Sequence, residues 1–290
     1  LGLATLDETL DGITSLAEAA LRVATDRLRV LHARETGDAL DDSGRPIPFV
    51  VLGLGKLGGQ DLNYSSDIDV AYYYAHDAPM AGGHTARGRF SRLAEEISRA
   101  IGDTTADGQV FRVDLRLRPE GGSGPLVNTV ANALMYYEGW GDTWERGVYI
   151  KARPVAGDHA LGDELIEGIR PFVFRRHLDY QTIEDFRAMK ERIDAEQSVR
   201  RMRSGGVRDV KLGAGGIREL EFVVQILQLI HGGHDDTVRV RGTMAALSAL
   251  EGGGMIASDE AAGLRTAYEF LRNVEHAVQV VEQRQTQKIP

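Results

Sequence analysis

The residues best suited to chemistry are Asp67 and Asp69, in Ser66-Asp67-Ile68-Asp69 at the head of an apolar run. Side chains two apart on a strand share a face, so both carboxylates project together. Such a pair repels unless a cation lies between them, and Mg2+ favours carboxylate oxygens combined with phosphate oxygens. Asp114, in a later alternating run, can complete a set of three hard ligands. Two divalent ions held there would neutralise a phosphoryl group and stabilise the attacking and leaving oxygens of an in-line displacement. Just upstream, Gly53, Gly55 and Gly58 flank Lys56 in a loop whose bare backbone can approach phosphates closely. Taken alone, Ser65-Ser66-Asp67 suits a capped turn equally well. The succession of glycine loop, Asp-x-Asp and a further strand carboxylate is what points to a site.

Competing motifs fail on context. Gly53-Leu54-Gly55-Lys56-Leu57-Gly58 fits the dinucleotide pattern G-x-G-x-x-G by letter, but that motif needs a full helix and then a parallel strand. Only Gln60 to Ser66 separate the glycines from the next strand, which leaves room for a short helix of barely two turns. A nicotinamide-dependent reductase is therefore disfavoured. Lys56 lacks the spacing and the following Ser or Thr of a phosphate-binding Walker loop. Gly121-Gly122-Ser123-Gly124 misses the nucleophile elbow of hydrolases by one glycine.

The elements around these residues follow from periodicity. Ser15-Leu16-Ala17-Glu18 reads as a capping box opening an amphipathic helix through Arg34. Asp38 to Pro48 reads as a loop, Phe49 to Leu54 as a buried strand, Ile68 to Tyr74 as a second strand and Thr85 to Ile101 as a helix. A third strand begins at Gly108. In it Phe111, Val113, Leu115 and Leu117 alternate with Arg112, Asp114, Arg116 and Arg118, a polar face that meets either water or a ligand. A helix at 131–138 and a strand at 148–153 complete an α/β unit. From Gly157 onward the pattern is helical, with one face set by Ile183, Phe186, Met189, Lys190 and Ile193 and another by Leu264, Tyr268, Leu271, Val274 and Val278. Between them, Lys211-Leu212-Gly213-Ala214-Gly215-Gly216 leads into a helix over 217–230. Its polar stripe, Arg218, Glu221, Gln225 and Gln228, is either satisfied internally or faces a cleft.

Bulk properties narrow the function classes. The 290 residues allow one large or two modest domains, and 42% hydrophobic with 27% charged residues is ordinary for a globular chain. Zero cysteines exclude disulfides and thiolate metal sites and fit a reducing cytoplasm. A net charge of −9 argues against a nucleic-acid backbone binder, and no apolar run approaches the ~20 residues of a membrane span. The basic clusters Arg112/Arg116/Arg118, Arg175/Arg176/His177 and Arg200/Arg201/Arg203 are either solvated faces or local anion sites. The absence of an initial methionine and the stop at Pro290 directly after a helical pattern suggest a piece of a longer chain.

The stretch Val51-Leu-Gly-Leu-Gly-Lys-Leu-Gly-Gly-Gln-Asp-Leu-Asn-Tyr-Ser-Ser-Asp-Ile-Asp-Val70 resembles the signature of the glutamine synthetase adenylyltransferases. Phe111-Arg-Val-Asp-Leu-Arg-Leu-Arg-Pro119, Gly122-Ser-Gly-Pro-Leu-Val127, Trp144-Glu-Arg146, Lys151-Ala-Arg153, Arg170-Pro-Phe-Val-Phe-Arg175 and Lys211-Leu-Gly-Ala-Gly-Gly-Ile-Arg-Glu-Leu-Glu-Phe222 keep that family's order. Members have two homologous halves: one removes AMP from a tyrosine of glutamine synthetase by phosphorolysis, and the other attaches AMP from ATP. Trp144-Glu-Arg146 and Gly216-Ile-Arg-Glu-Leu-Glu-Phe222 resemble the N-terminal, removing half more closely. One departure is Ala277, where members often carry Arg.

The resemblance implies an α+β fold, with a small mixed β-sheet of the nucleotidyltransferase type and flanking helices followed by an all-helical bundle. The expected division is 1–47 as N-terminal helix and loop, 48–156 as the nucleotidyltransferase domain and 157–290 as the bundle. It also implies Mg2+ or Mn2+, two ions, on Asp67, Asp69 and Asp114. AMP-tyrosine, ADP, ATP and inorganic phosphate would be the small ligands, with glutamine synthetase as protein substrate and a PII-type signalling protein as regulator. Gly53, Gly55, Lys56, Gly58 and Ser66 would shape the phosphate loop, and Arg116 and Arg118 would hold the attacking phosphate. Lys151 and Arg153 are weaker candidates, and Lys211 and Arg218 with Glu219 or Glu221 would close the site from the helical side. Adenylyl transfer from ATP, or a regulatory nucleotide-binding module without chemistry, are the alternatives.

Overall fold

A computed structural model describes residues 4–80, 85–177, 184–189, 191, 195, 209–282 and 286. Its elements begin with α1 (Leu6–Thr36), β1 (Phe49–Leu54), α2 (Gly55–Gly58), β2 (Ile68–Tyr74), α3 (Ala86–Gly102) and β3 (Val113–Asp114). There follow β4 (Val127–Thr129), α4 (Val130–Gly139), α5 (Thr143–Ile150), β5 (Arg153–Gly157) and α6 (His159–Val173). After a helical stretch at 184–189 come α7 (Ile217–His231), α8 (Thr243–Gly252) and α9 (Ser258–Glu282). The fold is α+β: a mixed sheet with flanking helices, then helices. Among the described residues no helix is long and apolar enough to cross a membrane.

The strand order is β3-β2-β1-β5, with β1 antiparallel to both β2 and β5. β2 also pairs in parallel with β3 at its start and with β4 at its end. All six residues of β1 are buried, as a central strand covered on both faces requires. The two-residue period sends Phe49 and Val51 into one core with Ile68, Val70, Tyr72 and Tyr74, beneath α1 and α3. It sends Val50, Leu52 and Leu54 into a second core with Ala71 and Tyr73, beneath α4 and α6. Each fully buried aliphatic side chain here contributes about 1.5–3 kcal/mol of transfer free energy. A third core, formed by Ile217, Val224, Leu247, Leu250 and Tyr268, joins α7, α8 and α9. Asp69 shares a face with Ala71 and Tyr73, so the carboxylate pair points to the side of the sheet carrying the later helices.

Several expected elements differ in detail. α1 starts earlier than expected, under a Thr5/Glu8 capping box, and Ser15 to Glu18 lie inside it. An amphipathic stripe locates a helix, but a box-like letter pattern mid-helix is not a cap. The residues between the glycines and β2 form turns, and the short helix is made by Gly55–Gly58 themselves. The third strand is only two residues long, because the Asp114 carboxylate takes the Arg116 backbone N–H at 2.8 Å and folds the chain into turns. Leu117 consequently packs in the second core while Phe111, Val113 and Leu115 pack in the first. The strand expected at 148–153 is the end of α5 followed by β5, since Glu145 closes a capping box with Asp142 and starts a helix there. Ile183, Lys190, Ile193 and the Arg200/Arg201/Arg203 cluster lie outside the described residues.

Gly157 at φ +79° is a position where an added Cβ would lie 2.3 Å from the Phe49 carbonyl oxygen. Gly157→Ala is therefore expected to lower stability by about 2–3 kcal/mol. Gly12, on the exposed side of α1 with nothing within 4 Å of its added Cβ, should by contrast gain about 0.5–1 kcal/mol as alanine. Denaturant melts of the two variants check this, and equal shifts would contradict the assigned backbone.

Candidate active site

The site lies where β1 ends and β2 begins. β1 hands the chain to Gly55, whose φ of +50° turns it sharply into α2. A Cβ on Gly55 would sit 2.5 Å from Asp69 Oδ2, so this glycine gives the carboxylate its room. Asp69 faces Leu54 across the antiparallel pair and Asp114 across the parallel one. Burial, then Asp114, then Asp67 raise its pKa to about 7, although Lys211 and Lys56 oppose the shift. Three carboxylates thus converge with their repulsion incompletely relieved.

Two of the three have protein partners. Asp67 Oδ1 accepts from Arg112 Nε at 2.5 Å, and the same guanidinium donates to the Ser65 carbonyl at 2.5 Å. Asp114 accepts from Arg116 Nε at 3.0 Å and Nη2 at 2.5 Å, which with the backbone bond holds its carboxyl below the usual carboxylate range. The Arg116 side chain is 81% exposed, so this pair is open to exchange. Among the described residues no three acidic or histidine side chains form a ready-made metal cage. The donor set nonetheless fits a divalent cation: it is all carboxylate, and the charge of Asp69, opposed by burial and by its acidic neighbours, has no hydrogen-bond partner among the described residues.

The other expected residues separate into two groups. Lys56 stands on the glycine turn with Nζ 3.3 Å from Asn63 Oδ1 and 3.5 Å from Glu275 Oε2. Burial, followed by the charge of Arg272, lowers its pKa to about 8. Ser66 donates its hydroxyl to Asn63 Oδ1. Lys211 is close enough for its charge to act on Asp69, Lys56 and Glu221. Gly53 and Gly58 pack internally: added Cβ atoms would meet Val155 and Leu57 at one and the Lys151 carbonyl at the other. Arg118 donates to the carbonyls of Leu115, Pro125, Gly122 and Gly124, and so braces the loop after β3. Arg153 pairs with Glu18 of α1 and donates to the Leu57 and Gly58 carbonyls. Glu219 accepts from the Gly215 N–H at 2.9 Å, and Arg218 is exposed. Arg176 and His177 are exposed too.

Lys151 is 4% exposed and does not face solvent. Its Nζ lies 2.9 Å from Asp61 Oδ2, 3.2 Å from Thr243 Oγ1 and 4.0 Å from Glu221 Oε1. Burial opposes its charge, yet Asp61 and Glu221 prevail and keep its proton bound more tightly than usual. Arg272 of α9 donates to the Asp61 carbonyl at 2.5 Å and approaches Glu275 at 3.4 Å. Gln279 Oε1 accepts from Asn63 Nδ2 and the Ser65 N–H, both at 3.0 Å. The turn carrying Ser66 and Asp67 is thereby fastened to the last helix. Asp61, Asn63, Arg272, Glu275 and Gln279 were not singled out from sequence. The signal was present: Arg272, Glu275, His276 and Gln279 recur at helical spacing as a buried polar stripe. The stripe on α7 divides, with Gln228 donating to the Val238 and Val240 carbonyls while Glu221 faces Lys151.

A family model described as Glutamate-ammonia ligase adenylyltransferase matches residues 1–167. Another, described as GlnD PII-uridylyltransferase, matches residues 187–290. The chain is 43% identical over 291 residues to the bifunctional glutamine synthetase adenylyltransferase/adenylyl-removing enzyme of Stenotrophomonas maltophilia (strain K279a), covering 100% of this chain and 31% of that protein. It is 45% identical to the protein of the same description from Pseudomonas putida (strain KT2440), covering 99% of this chain and 29% of that protein. The Agrobacterium fabrum (strain C58) counterpart is 43% identical, with 99% and 29% covered. The chain thus spans less than a third of the length of these curated relatives.

Because Lys151 neutralises the buried Asp61 and the partly buried Glu221, Lys151→Met is expected to cost about 3–5 kcal/mol of stability. Urea denaturation measures it, and a loss below ~1 kcal/mol would show that the buried cluster is not holding the fold together.

Proposed function

The chain belongs to the glutamate-ammonia ligase adenylyltransferase family, and from that premise we propose that it removes AMP from an adenylylated tyrosine of glutamine synthetase. The observation carrying this reading is the meeting of Asp67, Asp69 and Asp114 at the Gly55 turn, ringed by Lys56, Lys211, Arg112 and Arg116. An acidic centre with a cationic rim suits a phosphodiester and an incoming phosphate. We assign the chemistry to 48–156 and the closing surface to 157–290, with 1–47 bracing the sheet.

An oxygen of inorganic phosphate attacks the adenylyl phosphorus. The bond to the tyrosyl oxygen breaks as the new bond forms, giving ADP and a phenolate that takes a proton from water. Asp67, Asp69 and Asp114 would hold Mg2+ or Mn2+, which neutralises charge on the phosphoryl oxygens and on the departing phenolate. Arg116 is free to leave Asp114 and orient the attacking phosphate, since its guanidinium is exposed. Lys56 and Lys211 bring positive charge from the glycine turn and from the helical side. Gly55 lets the nucleotide phosphates approach the backbone. Arg118 and Arg153 support loops, and Lys151 supports the seam, each outside direct contact with substrate.

Transfer of AMP from ATP to the same tyrosine is the second reading, favoured by the bifunctional description of the relatives. The same geometry serves the displacement in either sense. A PII-type protein is the proposed regulator, on the strength of the second family match. The cytoplasm is the proposed compartment.

Incubating this chain with adenylylated glutamine synthetase should release ADP only when inorganic phosphate is present. Asp67→Asn with Asp69→Asn should reduce that rate by about 10²-fold or more. Retention of the rate within a factor of two would defeat the carboxylate assignment. Transfer of label from ATP onto unmodified synthetase, without phosphate-dependent release, would reverse the direction.

A further inference from the structure

An apolar cleft of about 600 Å3, counting its open mouth, runs from the Gly55 backbone along α5 and α7. Leu117, Val148, Phe186, Met189, Phe222 and Ile226 supply its surfaces, with Trp144 at the rim. The 184–189 helical stretch is pinned over it by a hydrogen bond from Thr143 Oγ1 to Asp185 Oδ2 at 2.7 Å. Gln225 lines the same cleft, is partly buried, and has no hydrogen bond with any described residue. A Cβ on Gly147 of α5 would approach Gln225 Oε1 at 3.4 Å, so that glycine keeps the carboxamide uncrowded.

We propose that this cleft is the base pocket of the nucleotide, taking the adenine ring flat between its apolar walls with Gln225 hydrogen-bonded to the ring edge. The inference rests on the reading that the neighbouring carboxylates handle an adenylyl group. Position commits the cleft to that occupant: one end is Gly55, directly beside Asp69, so a phosphate at the carboxylates leaves the nucleoside to extend along α5 and α7. The lining matches a purine, with broad faces that stack on aromatic and thioether side chains and a polar edge that needs few partners. A carboxamide offers one donor and one acceptor side by side, the complement of the adenine amino group and its adjacent ring nitrogen. At the corresponding O6/N7 edge guanine offers two acceptors and would engage only the donor of the carboxamide. Uracil, with a single ring, fills less of the apolar space.

The test uses the fluorescence of Trp144 in the full chain, with Trp140→Phe removing the other of the two tryptophans. With Mg2+ present, ADP should quench Trp144 and bind more tightly than GDP or UDP. Gln225→Leu should weaken ADP by about tenfold and abolish the preference over GDP. Gln225→Glu, of equal size, should also weaken ADP, and a matched thermal melt excludes misfolding. Equal affinity for the three diphosphates, or unchanged ADP affinity in both Gln225 variants, overturns the proposal. Quenching by a tyrosine amide but not by ADP also overturns it, giving the cleft to the phenol ring of the protein substrate. If phosphate-dependent ADP release is absent while the base preference holds, the removal reading falls and the pocket stands. If release proceeds and the variants bind ADP normally, the pocket falls alone.

Discussion

The structure depends on a set of buried charges at the seam between the sheet and the last helices. Lys151, from the turn between α5 and β5, is the hub, joined to Asp61 on the glycine-turn side and Glu221 on the helical side. Arg272, Glu275 and Lys56 extend the set. Removing these groups from water is costly, and their mutual attraction offsets that cost only while every partner remains in place. Buried pairs of this kind define one relative placement of the elements better than they add stability. Here the placement concerns the chain from Gly55 to Asp67, which carries the proposed chemistry.

Hydrophobic packing alone would not hold that segment. Residues 59–67 have no regular ladder of backbone bonds, so their order comes from side chains: Asn63 and Ser65 on Gln279, and the Asp61 carbonyl on Arg272. The sheet supplies the complementary rigidity. Asp69 and Asp114 are fixed by strand register, while Asp67, one residue before β2, is held by Arg112. All three carboxylates are partly buried; desolvation and two acidic neighbours oppose the charge of Asp69, whereas Asp67 and Asp114 are paired with arginine. On the proposed function, that contrast is the starting state from which the arginines give way to a cation and a phosphate.

The sheet is shielded on both sides by different means. α1 and α3 close one face with aliphatic and aromatic packing, and Arg153 ties α1 to the glycine turn through Glu18. The other face carries the second core and, at its edge, the apolar cleft beside Gly55. The proposed catalytic groups and the cleft share that face because the two-residue period of β2 places Asp69 with Ala71 and Tyr73.

The amino-acid sequence by itself determined the buried strands β1 and β2, the helices read at 85–101 and 217–230, and the grouping of Asp67, Asp69 and Asp114 beside a glycine turn. These follow from local periodicity and from neighbours in sequence, which a single chain displays openly. The start of α1, the turn after Asp114 and the helical end of α5 depart from the periodicity because side-chain bonds to backbone N–H groups two or three residues away set them. Partnerships across the fold were decided by tertiary structure alone. Arg118 and, as a weaker candidate, Lys151 read as phosphate ligands in sequence, and the fold gives them four carbonyls and Asp61 as partners. Asp61 and Lys151, 90 residues apart, show no mutual pattern in the sequence. Their pairing exists only because desolvation makes any unpartnered charge at the seam too costly, and folding must bring each one an opposite.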